Sequence, residues 1–313
     1  MEEKCNIKRE KEAKIVVLMS TYNGEAYIQE QLESILSQTY SNVKIYVRDD
    51  GSKDHSLEIL RQYEKENKIV LLKGKNKGFI RSFFSLLKEC EDAEYYAWCD
   101  QDDIWLPDKL ARAVELLEKE AKEIPVLYFS DYDYYDQNMN FQKHGLDHKR
   151  GPSFANSLMD CISLGFNSVF NNKARKMMLE KLPEHSCGHD WWTYMVCAAF
   201  GKVIYDRGYV SVKYRRLEAS VSPGGKSFLE TQIWRFKKFF LNDYFKKIRE
   251  QLYEFGILYE NSLKEKDQKI MNLFTQQKYS FFRALKKCFY PVWFRQGIVE
   301  EIMVRILFLM GRL

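Results

Sequence analysis

The chain of 313 residues is longer than one domain of modal size needs, so it holds one large domain or two modest ones. Hydrophobic residues at 45% and charged residues at 30% exclude a disordered or low-complexity chain. Seven scattered cysteines without a Cys-x-x-Cys pair exclude a disulfide framework or zinc ribbon and fit a reduced, cytoplasmic setting. Residues 1–14 are charged and read as a tail without a secretory core, and Ile306 to Met310 falls far short of the roughly 20 apolar residues a spanning helix requires.

The elements alternate. Residues 15–19 (IVVLM) form a short continuous apolar run, as in a strand buried on both faces. An amphipathic helix follows over 26–38, with Ile28, Leu32, Ile35 and Leu36 on one side. The pattern then repeats with strands at 43–48, 69–72, 95–99 and 126–130, and with helices near 54–66, 79–90 and 108–121. Residues 131–136 read as a Tyr- and Asp-rich loop. Helices near 171–181 and 189–199, then strands at 202–206 and 209–214, close the body. Strands alternating with such helices predict an α/β fold with a mostly parallel sheet flanked by helices. Ligands of such sheets bind at the carboxyl ends of the strands, so the chemistry is expected just after residues 19, 48, 72 and 99.

Charge divides the chain. Residues 226–313 hold 17 Lys/Arg against 9 Asp/Glu and 19 of the 47 aromatic residues, whereas the preceding 225 residues have a net charge of −3. Ser222-Pro223-Gly224-Gly225 is the strongest breaker cluster and marks the boundary.

Side chains suited to chemistry stand where the sheet rule places them. Ser20-Thr21-Tyr22-Asn23-Gly24-Glu25 follows the first strand with hydroxyls and N–H groups able to hold an anion or nucleotide, or simply to cap a helix. Asp49-Asp50-Gly51-Ser52-Lys53-Asp54 follows the second, either as a ribose or base acceptor or as a turn with a cap. Asp100, Asp102 and Asp103 crowd the end of the fourth strand and repel one another unless a cation or solvent screens them. Hard oxygen ligands of this kind suit Mg²⁺ or Mn²⁺. Asp190 opens a helical stretch beside Trp191 and Trp192, as a general base with an aromatic acceptor wall or as a cap before core tryptophans. Gly225-Lys226-Ser227 lacks the earlier glycine of a P-loop, and no Gly-x-Gly-x-x-Gly follows a strand.

Together these residues resemble the family 2 glycosyltransferases of the GT-A fold, especially the bacterial rhamnosyltransferase-like group of surface-polysaccharide synthesis. The matching pieces are Ser20 to Gly24, Gln31 to Gln38, Val47 to Asp54, Asn76-x-Gly78 with Ser82-Phe83, Asp100 to Leu110, His189 to Trp192, and Tyr214-Arg215-Arg216. They cover residues 14–222 in order. The resemblance implies a GT-A domain there that uses a UDP- or dTDP-sugar. It implies nucleotide-sugar contacts at Ser20, Thr21, Tyr22, Glu25, Asp50, Asn76, Gly78 and Asp100. Asp100 and Asp102 would be the DxD pair for Mn²⁺ or Mg²⁺, with Asp103 supporting. Asp190 would be the catalytic base of an inverting transfer, with His189, Trp191 and Trp192 on the acceptor side. Where the family carries a histidine after Tyr-Arg-x, this chain has Leu217, and Arg215 or Arg216 would supply the positive charge instead.

The tail reads as basic, aromatic helices near 228–240, 244–255, 279–290 and 293–309. It is expected to pack on the body or in a homodimer, or to face anionic lipid at the inner side of the cell membrane, close to a glycan or lipid-linked acceptor. Nucleic acid is disfavoured by the acidic body. The alternative to an enzyme is a catalytically silent sugar-nucleotide-binding or scaffold subunit, for which Leu217 is the only motive.

Overall fold

The computed structural model describes residues 12–217, 244–276 and 278–313. The helix expected at 228–240 and the breaker at 222–225 lie outside them.

A single curled sheet organises the described chain. Strands β1 (Ile15–Thr21), β2 (Val43–Asp49), β3 (Val70–Lys73) and β4 (Tyr95–Cys99) alternate with helices α1 (Ile28–Leu36), α2 (Ser56–Lys65) and α3 (Phe79–Glu89). All four strands are parallel, in the order β3-β2-β1-β4. Residues 15–19 are entirely buried, as a strand with helices on both faces must be. A short strand β5 (Ile104–Trp105), helix α4 (Lys109–Leu117), the long strand β6 (Val126–Tyr135) and strand β7 (Phe141–His144) come next. Then come α5 (Phe154–Met159), β8 (Ser168–Asn171), α6 (Asn172–Glu180), α7 (His189–Phe200) and β9 (Lys202–Arg215). The sheet continues β4-β8-β6-β9-β5, with β7 on β6. Strands β8, β5 and β7 run antiparallel to their neighbours, while β6 and β9 pair in parallel.

Three expectations change. Residues 131–136 are not a loop: β6 runs to Tyr135, with Tyr132 and Tyr134 buried while Asp131, Asp133 and Tyr135 are half-buried. That alternation has a strand's period of two, which the aspartates disguise. The two strands expected at 202–206 and 209–214 are one, β9, kinked where Gly208 takes a left-handed φ of 87°. The short elements β7, α5 and β8 were too brief for periodicity to reveal.

In the tail, α8 (Tyr244–Leu258), α9 (Glu265–Met271), α10 (Phe281–Cys288) and α11 (Ile298–Leu309) follow. Phe245, Ile248, Leu252 and Phe255 of α8 join the core that contains Trp98, Leu127 and Trp192. Phe255 meets Trp192 edge-on at 5.3 Å between ring centroids. Polar ties reinforce the contact, since Gln251 Oε1 accepts the Cys187 N–H at 2.7 Å and Glu254 accepts those of Glu184 and His185. Among the described residues no helix is long and apolar enough to cross a membrane.

Candidate active site

Four loops meet at the carboxyl ends of β1, β2, β3 and β4. The loop after β1 is locked to the loop after β2 by reciprocal bonds. The Asn23 N–H donates to Ser52 Oγ at 3.0 Å and the Lys53 N–H returns to Asn23 Oδ1 at 2.8 Å. Glu25 is exposed, and its carboxylate accepts the His55 N–H at 2.8 Å. Ser20 Oγ bonds Ser82 Oγ of α3 at 2.6 Å, Thr21 is buried, and the Tyr22 ring stands open to solvent.

Asp50 is buried and fully engaged. Its oxygens accept the N–H groups of Lys77 and Gly78 at 2.9–3.0 Å and pair with Arg48 at 2.9 Å. In this geometry it shapes the floor of the cleft and offers no open oxygen to a ribose. Asn76 caps the same turn, its Oδ1 accepting the Gly78 N–H at 3.1 Å, and Gly78 has a φ of 81° with open space where a Cβ would stand. A side chain there would be strained although nothing obstructs it.

The acidic loop follows β4. Gln101 bridges it to the first loop, its Oε1 accepting the Tyr22 N–H at 2.8 Å and its Nε2 donating to Tyr22 O at 3.2 Å. Asp100 and Asp102 are half-buried. Burial, then the charges of Asp102 and Asp190, push the Asp100 carboxyl up to about 8. Burial likewise raises Asp102. Asp103 points elsewhere: it is buried, Oδ1 accepts the Arg215 N–H at 3.0 Å, and Oδ2 has no hydrogen-bond partner. Burial, then Asp102 and Asp100, raise its carboxyl well above the usual range.

Among the described residues no three His, Cys, Asp or Glu side chains converge into a ready-made metal cage. The donor set nevertheless suits a hard divalent cation, because crowded carboxylates are relieved by one and a diphosphate would complete its shell. Asp100 and Asp102 would hold it, and Asp103 would steady the loop from behind.

Asp190 begins α7. Its Oδ1 accepts the Trp191 N–H at 2.8 Å and its Oδ2 the Gly165 N–H at 3.1 Å. Two glycines make room: a Cβ on Gly188 would stand 2.3 Å from Asp190 Oδ1, and one on Gly165 would stand 2.8 Å from His189 Nε2. His189 stacks on Phe83 at 3.7 Å and meets Trp98 edge-on at 4.9 Å. Trp98 immediately precedes Cys99 and Asp100, so this ring contact presses the start of α7 against the end of β4. That packing sets Asp190 close enough to Asp100 to oppose its ionisation.

The neighbours of Asp190 do not form an open acceptor wall. Burial lowers the His189 imidazole to about 4, which leaves it a neutral spacer among aromatic rings. Trp192 is wholly buried against Phe255, and Trp191 donates from Nε1 to Ser157 O at 2.6 Å inside the core. The reason is helical geometry. Successive residues point about 100° apart, so when Asp190 faces the cleft the next two side chains turn into the protein.

Arg215 is buried and holds the acidic loop. Its Nε donates to Asp102 O and Nη1 to Gln137 O, each at 2.9 Å, and it pairs with Glu30. Its guanidinium thus acts on the loop's backbone. Arg216 lies against the Tyr134 ring at 5.5 Å. Arg215→Met should therefore destabilise the chain by roughly 2–3 kcal/mol, since it leaves the Asp102 and Gln137 carbonyls without their donor. Urea denaturation measures this, and Arg215→Lys should not restore the fork-shaped contacts. An unchanged midpoint in Arg215→Met would contradict the assignment.

Gln101, Gly165, Gly188 and Ser82 were missed as site-shaping residues. Their partners lie 2 to 79 positions away in the chain, and only the Asp100-Gln101-Asp102 context gave any sign of Gln101.

Residues 16–183 match the family model of glycosyl transferase family 2. The chain belongs to that family. It is 28% identical over 193 residues to dTDP-rhamnosyl transferase RfbG of Shigella flexneri, a match covering 56% of this chain and 63% of RfbG. It is 38% identical over 107 residues to a glycosyltransferase of Haemophilus influenzae, covering 34% of this chain and 33% of that protein. The matched region thus spans less than two thirds of either relative. Among solved structures, S. aureus TarS 1–349 in complex with UDP-GlcNAc superposes with a TM-score of 0.62 at 15% identity, covering 96% of this chain and 81% of that one. Mannosyltransferase PcManGT from Pyrobaculum calidifontis, in complex with GDP-Man and Mn²⁺, gives 0.55 at 14% identity, covering 96% and 74%. At these identities the likeness shows the fold, GT-A with a helical C-terminal part.

Proposed function

We propose that this family 2 glycosyltransferase moves a sugar from a UDP- or dTDP-sugar to a hydroxyl of a growing bacterial surface glycan, with inversion at the anomeric carbon. The observation that carries the reading is the packing of His189 on Trp98 at 4.9 Å, which brings the start of α7, with Asp190, against the end of β4, where the acidic loop begins. A base and a leaving-group site on two sides of one cleft are what an in-line displacement requires. Asp190, held by the Gly165 N–H, accepts the proton of the acceptor hydroxyl as its oxygen bonds to the anomeric carbon, while the bond to the diphosphate oxygen breaks. Mn²⁺ or Mg²⁺ bound by Asp100 and Asp102 would neutralise charge on the departing diphosphate. The loops after β1 and β2 contain the donor's base and ribose, with Tyr22 as the exposed ring beside them.

RfbG supports a dTDP-sugar by its name, and the TarS complex supports a UDP-sugar by its fold alone. A lipid-linked acceptor at the inner membrane face fits the basic tail. Donor hydrolysis with Mn²⁺, compared in wild type and Asp102→Ala, tests the enzyme reading. A fall of about 10²-fold or more is expected, whereas equal rates would favour a silent nucleotide-binding subunit.

A further inference from the structure

Helix α11 buries one side and leaves a second apolar side uncovered. Glu301, Val304 and Phe308 face inward. Ile298, Ile302, Ile306 and Met310, spaced four apart, form one stripe, and each is 49–62% exposed. A helix apolar on opposite sides is ordinarily buried on both, and an open stripe of this kind marks a contact with something else.

The surroundings indicate what that is. Residues 278–313 hold seven Lys/Arg against two Asp/Glu. Of those two, Glu301 is already spent on Arg305 and on the N–H groups of Phe294 and Arg295. Lys278, Lys286 and Arg312 are exposed. At the C-terminal end of the stripe, exposed Tyr279 donates from its hydroxyl to Leu309 O at 3.0 Å, with Lys278 beside it in sequence. Phe282, in the first turn of α10, and Phe289, just after its end, are 77% and 76% exposed. Aliphatic and aromatic side chains among exposed basic residues complement an anionic bilayer, where apolar groups enter the acyl boundary and cations meet headgroups.

The stripe is also fixed relative to the catalytic cleft. Just before α11, Phe294 O accepts from Asn156 Nδ2 at 2.9 Å and Arg295 donates to Met159 O at 2.6 Å, both on α5. Helix α5 in turn accepts Trp191 Nε1 at Ser157 O, one residue after Asp190. Short contacts, two of them buried, thus join the stripe to the start of α7.

We infer that the Ile298–Met310 face of α11 docks on an anionic lipid surface and sets the Asp190 side of the cleft in a fixed orientation to it. This deepens the lipid-linked acceptor reading and rests on it only for the meaning of the orientation. Lipid binding itself is measured without donor or acceptor, so it can fail while the transferase reading stands.

The test is flotation of the full chain with phosphatidylcholine vesicles and with vesicles containing about a third phosphatidylglycerol. Wild type should float with the anionic vesicles and far less with the neutral ones. The Ile302→Glu/Ile306→Glu variant should bind at least about tenfold more weakly, and so should Ile302→Ser/Ile306→Ser, with circular dichroism and donor hydrolysis unchanged in both. Lys278→Glu/Arg312→Glu should weaken binding to anionic vesicles only. Flotation unchanged in both stripe variants would overturn the inference, as would no wild-type flotation on either vesicle. A wild-type dimer by light scattering that the stripe variants dissociate, without vesicle binding, would assign the face to a second copy instead.

Discussion

Replacing Asp190 by Asn should lower the rate of sugar transfer by about 10²–10⁴-fold and leave donor affinity within a few-fold of wild type. The size follows from the role. Asn keeps the shape and its single oxygen can still accept the Gly165 N–H, giving up only the local bond from the Trp191 N–H, so α7 should start in nearly the same place. It cannot take a proton, so only the acceptor-activating step is lost. The Asp190 carboxylate takes its hydrogen bonds from Gly165 and Trp191, in other segments than the loops after β1 and β2, where base and ribose are proposed to bind. Steady-state transfer kinetics together with donor titration by calorimetry check both parts. A variant that loses donor binding in proportion to rate would make Asp190 a donor-site residue, and a variant of near-normal rate would remove it from the chemistry.

Asp100→Asn should abolish transfer and yet stabilise the metal-free chain in mildly alkaline solution. Burial, then Asp102 and Asp190, raise the Asp100 carboxyl from 3.8 to about 8. The native state therefore holds this proton more tightly than the unfolded chain does. Its contribution to stability is complete below pH 4 and is lost as pH rises through about 8. Asn never ionises, so the variant should lack that descent: its melting temperature should exceed wild type by a few degrees at pH 8 with chelator present and match it near pH 4. Added Mn²⁺ should raise the wild-type melting temperature at pH 8 and leave that of Asp100→Asn almost unmoved. Parallel pH profiles of the two proteins, or equal responses to Mn²⁺, would contradict the crowded-carboxylate account.

The alternation of apolar runs and amphipathic stretches up to residue 130 was legible because each element is long enough to show its period and ends in a breaker. Strands β1 to β4 begin and end within two residues of their expected bounds. Beyond that, Asp131 and Asp133 concealed a strand by placing charge on its half-buried face, and Gly208 suggested a break where β9 only kinks. The acidic loop was legible because three carboxylates in four residues at a strand end are costly without a purpose. What those side chains do was not. Nothing local says that Asp103 turns inward to β9, that Asp50 is saturated by Lys77 and Gly78, or that Trp191 and Trp192 enter the core. Each depends on partners brought together by the sheet order. Helices α8, α10 and α11 of the tail were legible from their mixed apolar and basic faces, whereas the short α9 was not expected. Their division into a face joined to the core and a face left open was fixed only by packing.

If the mechanism holds, the acidic loop and Asp190 border one cleft with space between them for an activated monosaccharide. A crystal structure of the chain with Mn²⁺ and a non-hydrolysable nucleotide sugar tests it most directly. The ion should sit on Asp102, with the anomeric carbon between it and the Asp190 carboxylate. A sugar bound with Asp190 opening into a different region of solvent would contradict it.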